Sequence, residues 1–314
     1  MRVATVQYAP QFAEPNANAA HVRAQLKETA PKSLDMLVLP EMALTGYLYS
    51  SYEEIEPLLE SPYRGEGATY ELATSLAKEL ECYVVAGFPE RASDEALAEF
   101  PGAHDARTPR AEAETIAPSY LPSMRGKAFN SALLVDPSGA LVRVFRKHFL
   151  YEADTPWADE GQGFTYVDLP IGRVCVAICM DLNPYLLSSD FERYELTQYC
   201  DKNQIDLLVV PMNWLLPDEE IDAYKAGDAN DPSIPTINYW VARCIPLWVP
   251  GMEQPGHEGH KTLFVACNRT GTEKETTFAG SSSVIAFTAG DQATLLGAAG
   301  NRKDAVLTVE LSKE

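Results

Sequence analysis

The stretch Met36-Leu37-Val38-Leu39-Pro40-Glu41 is an unbroken apolar run closed by a proline and an acid. Such a run suits a short strand buried on both faces, the kind found in sheets with layers packed above and below. Upstream, residues 17–30 carry Ala20, Val22, Ala24 and Leu26 at helical spacing and end before Pro31. Before them, residues 2–8 are rich in β-formers. Downstream, Leu72, Leu76 and Leu80 mark one face of a helix over 66–81, and residues 82–88 read as a strand ended by Pro89. The order strand, helix, strand, helix, strand predicts an α/β layered fold.

Regular pattern stops at about residue 90 and returns near 128. The interval 90–125 holds Pro101, Pro109, Pro118 and Pro122 with mixed charge, and reads as an inserted surface excursion. A hairpin follows, with strands over 128–135 and 140–146 about the turn Asp136-Pro137-Ser138-Gly139. A second pairs 165–169 with 173–179 about Pro170-Ile171-Gly172. A helix is predicted over 189–203, a strand over 206–211, a helix over 237–243, and late strands over 263–267, 283–287 and 305–311. Residues 215–261 otherwise read as a second elaborated loop. Without an internal repeat or a separating linker, the reading is a single domain over 1–314 with insertions near 90–125 and 215–261.

The chain has 314 residues, 46% hydrophobic, and a net charge of −20. So acidic a surface repels phosphate, so neither nucleic acid nor an anionic membrane is an expected partner. It favours cationic partners, a free α-amino group among them. The six cysteines show no paired spacing, which suits a reducing compartment. With neither a signal-peptide pattern at the N-terminus nor a bilayer-length apolar run, the cytoplasm is the expected location.

Three residues at strand ends are candidates for chemistry. Cys179 closes the apolar segment Val174-Cys175-Val176-Ala177-Ile178, where the next turn can offer backbone N–H groups to a ligand. A cysteine there also fits as a small core residue. Glu41 sits among apolar neighbours, where an acid needs a partner, or else begins a helix. Lys147 ends Val144-Phe145-Arg146-Lys147-His148; it is either a solvated strand end or a fixed positive charge.

These segments resemble the nitrilase, or carbon–nitrogen hydrolase, superfamily. Its signatures match, in order, Leu39-Pro40-Glu41-Met42-Ala43-Leu44-Thr45-Gly46-Tyr47, Val144-Phe145-Arg146-Lys147-His148 and Ile178-Cys179-Met180-Asp181. Secondary matches are Pro211-Met212-Asn213-Trp214, Ala242-Arg243, and Cys267-Asn268-Arg269-Thr270-Gly271 leading to Phe278-Ala279-Gly280-Ser281-Ser282. The resemblance implies a nitrilase-like four-layer α-β-β-α sandwich and a Glu41–Lys147–Cys179 triad. In it, Cys179 attacks an amide carbon to form a thioester and Glu41 moves protons. Lys147 and the Met180 backbone N–H hold the oxyanion. No cofactor and no metal are implied.

Around the cysteine, Cys179-Met180-Asp181-Leu182-Asn183-Pro184-Tyr185 lacks the aromatic and arginine found in many members. With Phe149-Leu150-Tyr151-Glu152, it is most similar to fungal protein N-terminal amidases. That resemblance implies deamidation of N-terminal Asn or Gln of peptides or proteins, the step that feeds an N-degron pathway. Glu152 and Asp181 are the candidates for binding the α-ammonium. Glu152 equally suits the family's second carboxylate, which positions the lysine, and Asp181 a turn cap. Tyr47 and Trp214 are candidate pocket walls or plain core. The resemblance also implies a homodimer through the outer helices, a face the insertions can block.

Rival readings are a metal site at His257-Glu258-Gly259-His260 with Cys267, a Cys–His dyad using His148, and an acidic interaction protein without catalysis. A small-molecule ω-amidase or carbamoylase is the rival within the superfamily.

Overall fold

The computed structural model describes residues 1–92, 128–187 and 190–311. The expected excursion at 90–125 lies almost wholly outside the described residues. Strands are β1 Arg2–Gln7, β2 Met36–Val38, β3 Tyr83–Arg91, β4 Ala128–Val135, β5 Leu141–Arg146, β6 Tyr166–Leu169 and β7 Gly172–Val176. They continue with β8 Leu207–Pro211, β9 Lys261–Cys267, β10 Thr272–Glu273, β11 Thr276–Thr277, β12 Ser283–Thr288, β13 Gln292–Ala298 and β14 Ala305–Glu310. The main helices are α1 Pro15–Thr29, α2 Ala68–Leu80, α3 Glu195–Lys202 and α4 Ile234–Arg243.

One six-stranded sheet has the order β14-β1-β2-β3-β4-β5, the other β13-β12-β9-β8-β7-β6. Each has three parallel central strands, β1-β2-β3 and β7-β8-β9, with antiparallel strands on either side. The two-residue alternation of a strand assigns its residues to two cores. Ala4, Leu37, Val84 and Leu133 pack with Val22 and Leu26 of α1 and Leu72 and Leu76 of α2. Val3, Met36, Val38, Val85 and Leu134 share a second core with Val174, Val176, Val209 and Val265 of the other sheet. That core also takes in Leu196 and Tyr199 of α3 and Ile237 and Trp240 of α4. The result is the four-layer α-β-β-α sandwich that the resemblance implies.

Four departures from the sequence reading have identifiable causes. β3 does not stop at Pro89, because β2 has already ended opposite Val85. Beyond that point its neighbour is Glu60, which donates to the Pro89 carbonyl and accepts from the Arg91 N–H, each at 2.8 Å, so no N–H is required of Pro89. The helix expected from residue 189 begins only at Glu195, since the Phe191 and Arg193 carbonyls are taken by the Arg243 guanidinium. α4 starts three residues early, at Ile234, because Ser233 caps it through the Thr236 N–H and Pro235 suits a first turn. β13 has no apolar alternation to announce it, because it is an edge strand with mostly exposed residues. The 215–261 stretch is also less irregular than expected. Besides α4 it holds 3-10 turns at Asp218–Glu220 and Ile245–Leu247 and a helix at Ile221–Ala226.

Candidate active site

Glu41 lies just past β2, Lys147 directly after β5, and Cys179 three residues past β7, so both sheets contribute at the ends of their strands. The backbone at Glu41 crosses tightly over β3. Gly87 donates its N–H to the Pro40 carbonyl at 3.0 Å and accepts from the Ala43 N–H at 2.9 Å. A Cβ on Gly87 would sit 2.4 Å from the Glu41 Cα, so only glycine permits this crossing. Lys147 is fixed at its backbone by bonds of 2.8 Å to the Asn130 carbonyl and from the Gly161 N–H.

Cys179 is not the last residue of a strand, as the sequence suggested. β7 ends at Val176, and Cys179 opens a 3-10 turn through Leu182 with φ at +43°. That left-handed conformation is strained for a side-chain-bearing residue, and strain of this kind clusters at functional sites. The first N–H groups of such a turn have no partner within it, and Met180 is among them.

Lys147 Nζ lies 2.7 Å from Glu41 Oε1 and 2.7 Å from Asp154 Oδ2, all three side chains being fully buried. Asn130 Nδ2 ties the two carboxylates together, donating to Glu41 Oε1 at 2.7 Å and Asp154 Oδ1 at 2.8 Å. Glu41 Oε2 accepts from the Asn213 backbone N–H at 2.7 Å. Tyr47 completes the cage, its hydroxyl 3.5 Å from Lys147 Nζ and 3.3 Å from Asp154 Oδ2.

Electrostatics follow from this packing. Burial works to lower the Lys147 pKa, but Asp154 and Glu41 outweigh it and hold the ammonium protonated. Burial raises the Glu41 pKa, with Lys147 opposing. Burial, then the Glu41 charge, push the Cys179 thiol well above its ordinary value; Lys147 and the Asn213 N–H work the other way. The resting sulfur is a thiol. Cys179 keeps 7% exposure while Glu41 and Lys147 keep none, so the cysteine is the reachable member of the group.

Other expected site residues fall in different places. Asp181 is not available to an ammonium: Oδ1 accepts from the His148 and Phe149 N–H groups and Oδ2 from Ile178 N–H, at 2.8–2.9 Å. It ties the lysine and cysteine segments together. Glu152 is exposed, and the carboxylate on Lys147 is Asp154, two residues on. Tyr47 borders the lysine, and its N–H and that of Leu48 donate to Glu273, itself paired with Arg269 at 2.6 Å. Trp214 is half-buried, its ring 5.5 Å from Tyr239 and 5.9 Å from Trp240. His148 Nδ1 meets the Gly161 carbonyl, His257 meets Asp201, and His260 meets the Ile205 carbonyl.

Sequence reasoning does not find Asp154 or Asn130, and it reaches Asn213 only within the Pro211-Met212-Asn213-Trp214 match, with no role attached. Asn130 had a signal: a polar residue inside the apolar strand segment Ala128-Phe129-Asn130-Ser131-Ala132. Asp154 differed from Glu152 by nothing local.

The carbon–nitrogen hydrolase family matches residues 2–185. The protein N-terminal amidase of Schizosaccharomyces pombe is 28% identical over 328 residues, covering 100% of both chains. The protein N-terminal amidase of Saccharomyces cerevisiae is 26% identical over 200 residues, 58% of this chain and 36% of that relative. A crystal structure of an N-terminal amidase with a Gln-Val peptide superposes with a TM-score of 0.77 at 20% identity, covering 100% of this chain and 99% of that one.

Proposed function

The chain belongs to the carbon–nitrogen hydrolase family, and from that premise we propose that it is an amidase converting N-terminal Asn or Gln of peptides and proteins to Asp or Glu with release of ammonia. The observation that carries the reading is the buried Glu41–Lys147–Asp154 group beside a strained, reachable Cys179. Full-length similarity to the S. pombe protein N-terminal amidase supports the choice of amide.

In this reading Glu41 takes the thiol proton as Cys179 attacks the side-chain carboxamide carbon. A base is needed because the resting sulfur is protonated. Negative charge then develops on the carboxamide oxygen, beside the Lys147 ammonium and the Met180 N–H. Each such donor contributes roughly 2.7–4 kcal/mol in comparable sites. Lys147 serves here as a charge, since its two carboxylates keep it protonated. Protonated Glu41 gives its proton to the departing ammonia, leaving a thioester on Cys179. Water deprotonated by Glu41 cleaves the thioester and restores the thiol. Asp154 holds the ammonium in place throughout.

Among the described residues no helix is long and apolar enough to cross a membrane. The reading places the chain in the cytoplasm, as one catalytic domain acting on exposed N-termini in an N-degron pathway. The test is ammonia release, with mass analysis of the product, from peptides that differ only in their first residue. Conversion confined to Asn- and Gln-initiated peptides supports the proposal. Turnover of free asparagine or glutamine in preference to those peptides would place the activity among small-molecule ω-amidases instead.

A further inference from the structure

Asn213 follows β8, and its backbone N–H bonds Glu41 Oε2 at 2.7 Å while also favouring the thiolate of Cys179. Its side chain is only 2% exposed, yet among the described residues neither Oδ1 nor Nδ2 has a hydrogen-bond partner. A buried carboxamide with neither end paired is destabilising, and in a native fold it calls for something that completes it.

The carboxylates around the nucleophile are committed to the chain's own donors, and the other unpaired acceptor, Asn130 Oδ1, belongs to an amide whose Nδ2 already bridges Glu41 and Asp154. Glu41 holds Lys147, Asn130 and the Asn213 N–H, and Asp154 holds Lys147, Asn130 and the Tyr151 N–H. Asp181 holds three backbone N–H groups. A reacting carboxamide finds Lys147 and Met180 N–H for its oxygen and Glu41 for its nitrogen. What remains of an N-terminal Asn or Gln is the α-ammonium, a donor a few bonds away from the reacting carbon. Its first peptide carbonyl, an acceptor, lies alongside.

Resting on the N-terminal amidase reading, we infer that Asn213 is a specificity-determining residue whose Oδ1 accepts from the substrate α-ammonium while Nδ2 donates to the first peptide carbonyl. The two ends of the amide match the two polar groups that every N-terminal residue carries. The recognition is independent of whether the side chain is Asn or Gln. A neutral acceptor also suits this place, because a third carboxylate would add repulsion to Glu41 and Asp154.

The experiment compares kcat/KM for an Asn-initiated dipeptide with that for the same dipeptide carrying hydrogen in place of the α-ammonium, in the native protein and in Asn213→Ala. The native protein is expected to prefer the ammonium-bearing substrate by about 10- to 100-fold, the scale of a hydrogen bond to a charged group. In Asn213→Ala that ratio should collapse toward unity. A ratio unchanged in the variant, both substrates slowing in proportion, overturns the inference and leaves Asn213 with a packing role. A native protein that turns over both substrates equally, or neither, defeats the N-terminal reading itself, which the native chain alone reveals. If the alanine variant does not fold, Asn213→Ser carries the same comparison.

Discussion

Asp154 Oδ2 and Lys147 Nζ lie 2.7 Å apart with both side chains fully buried. The lysine is thus held by two carboxylates, and Asn130 bridges them. Removing one partner of a buried ion pair is far more damaging than losing an exposed one, about 3–5 kcal/mol against 0–1 kcal/mol. Asp154→Asn is therefore expected to lower kcat/KM by roughly 100-fold or more and to lower the melting temperature. Glu152→Gln, an exposed change, should stay near native in melting temperature. Equal effects of the two on stability and turnover would contradict the assignment of Asp154 to the lysine.

Gly87 offers a test from the opposite side of Glu41. In Gly87→Ala the new methyl would meet the Glu41 Cα at 2.4 Å, against backbone that cannot rotate away. Overpacking of this kind costs about 1–3 kcal/mol of stability, and a displacement of the base by about 1 Å is enough for a fall of roughly 100-fold in kcat. Steady-state kinetics and thermal melts measure both. Native kcat in a folded Gly87→Ala protein would mean that Glu41 is not held by this crossing.

The state of the sulfur can be read by alkylation. Burial and Glu41 push the Cys179 thiol up, so its reaction with a small alkylating agent should be slow at neutral pH and still climbing with pH in the alkaline range. Cys179→Ala identifies the signal by difference. A plateau below pH 7 would mean a preformed thiolate, and Glu41 would then have no proton to take.

Glu60 couples stability to pH. It is buried, accepts from the Thr69 and Tyr70 N–H groups at the start of α2, and has its pKa raised to about 7, chiefly by burial. The unfolded chain ionises this group near 4.5. Between those values the unfolded state releases a proton that the folded state retains, so stability falls as pH rises. The contribution is fully present below about pH 4.5 and lost by about pH 7, on the order of 3 kcal/mol. Glu60→Gln should flatten the fall in melting temperature over that window. An unchanged slope would show that Glu60 is ionised in the fold.

Much of the fold was legible because burial imposes simple patterns. Met36–Val38 is apolar on both faces and lies between two layers, and Leu72 and Leu76 mark the inner face of α2. The catalytic candidates were legible through their motifs, since acids and cations beside apolar strands need partners. Long-range capture was not legible. The Arg243 guanidinium removes the first turn of α3 across about fifty residues, and the choice of Asp154 over Glu152 depends on how Tyr151–Trp157 coils. Asp181 caps its turn through the Ile178 N–H, one of the two roles the sequence offered, but its two further donors, the His148 and Phe149 N–H groups, are backbone groups that no side-chain pattern announces.

The central claim is that Cys179 becomes covalently acylated under the control of Glu41. Its most direct test is rapid acid quench of the enzyme with an Asn-initiated peptide, followed by mass spectrometry of the fragment containing Cys179. The expected result is that fragment bearing the peptide minus ammonia in the native protein, and unmodified in Glu41→Gln. Steady ammonia release with no adduct on Cys179, or undiminished turnover by Cys179→Ala, would contradict it.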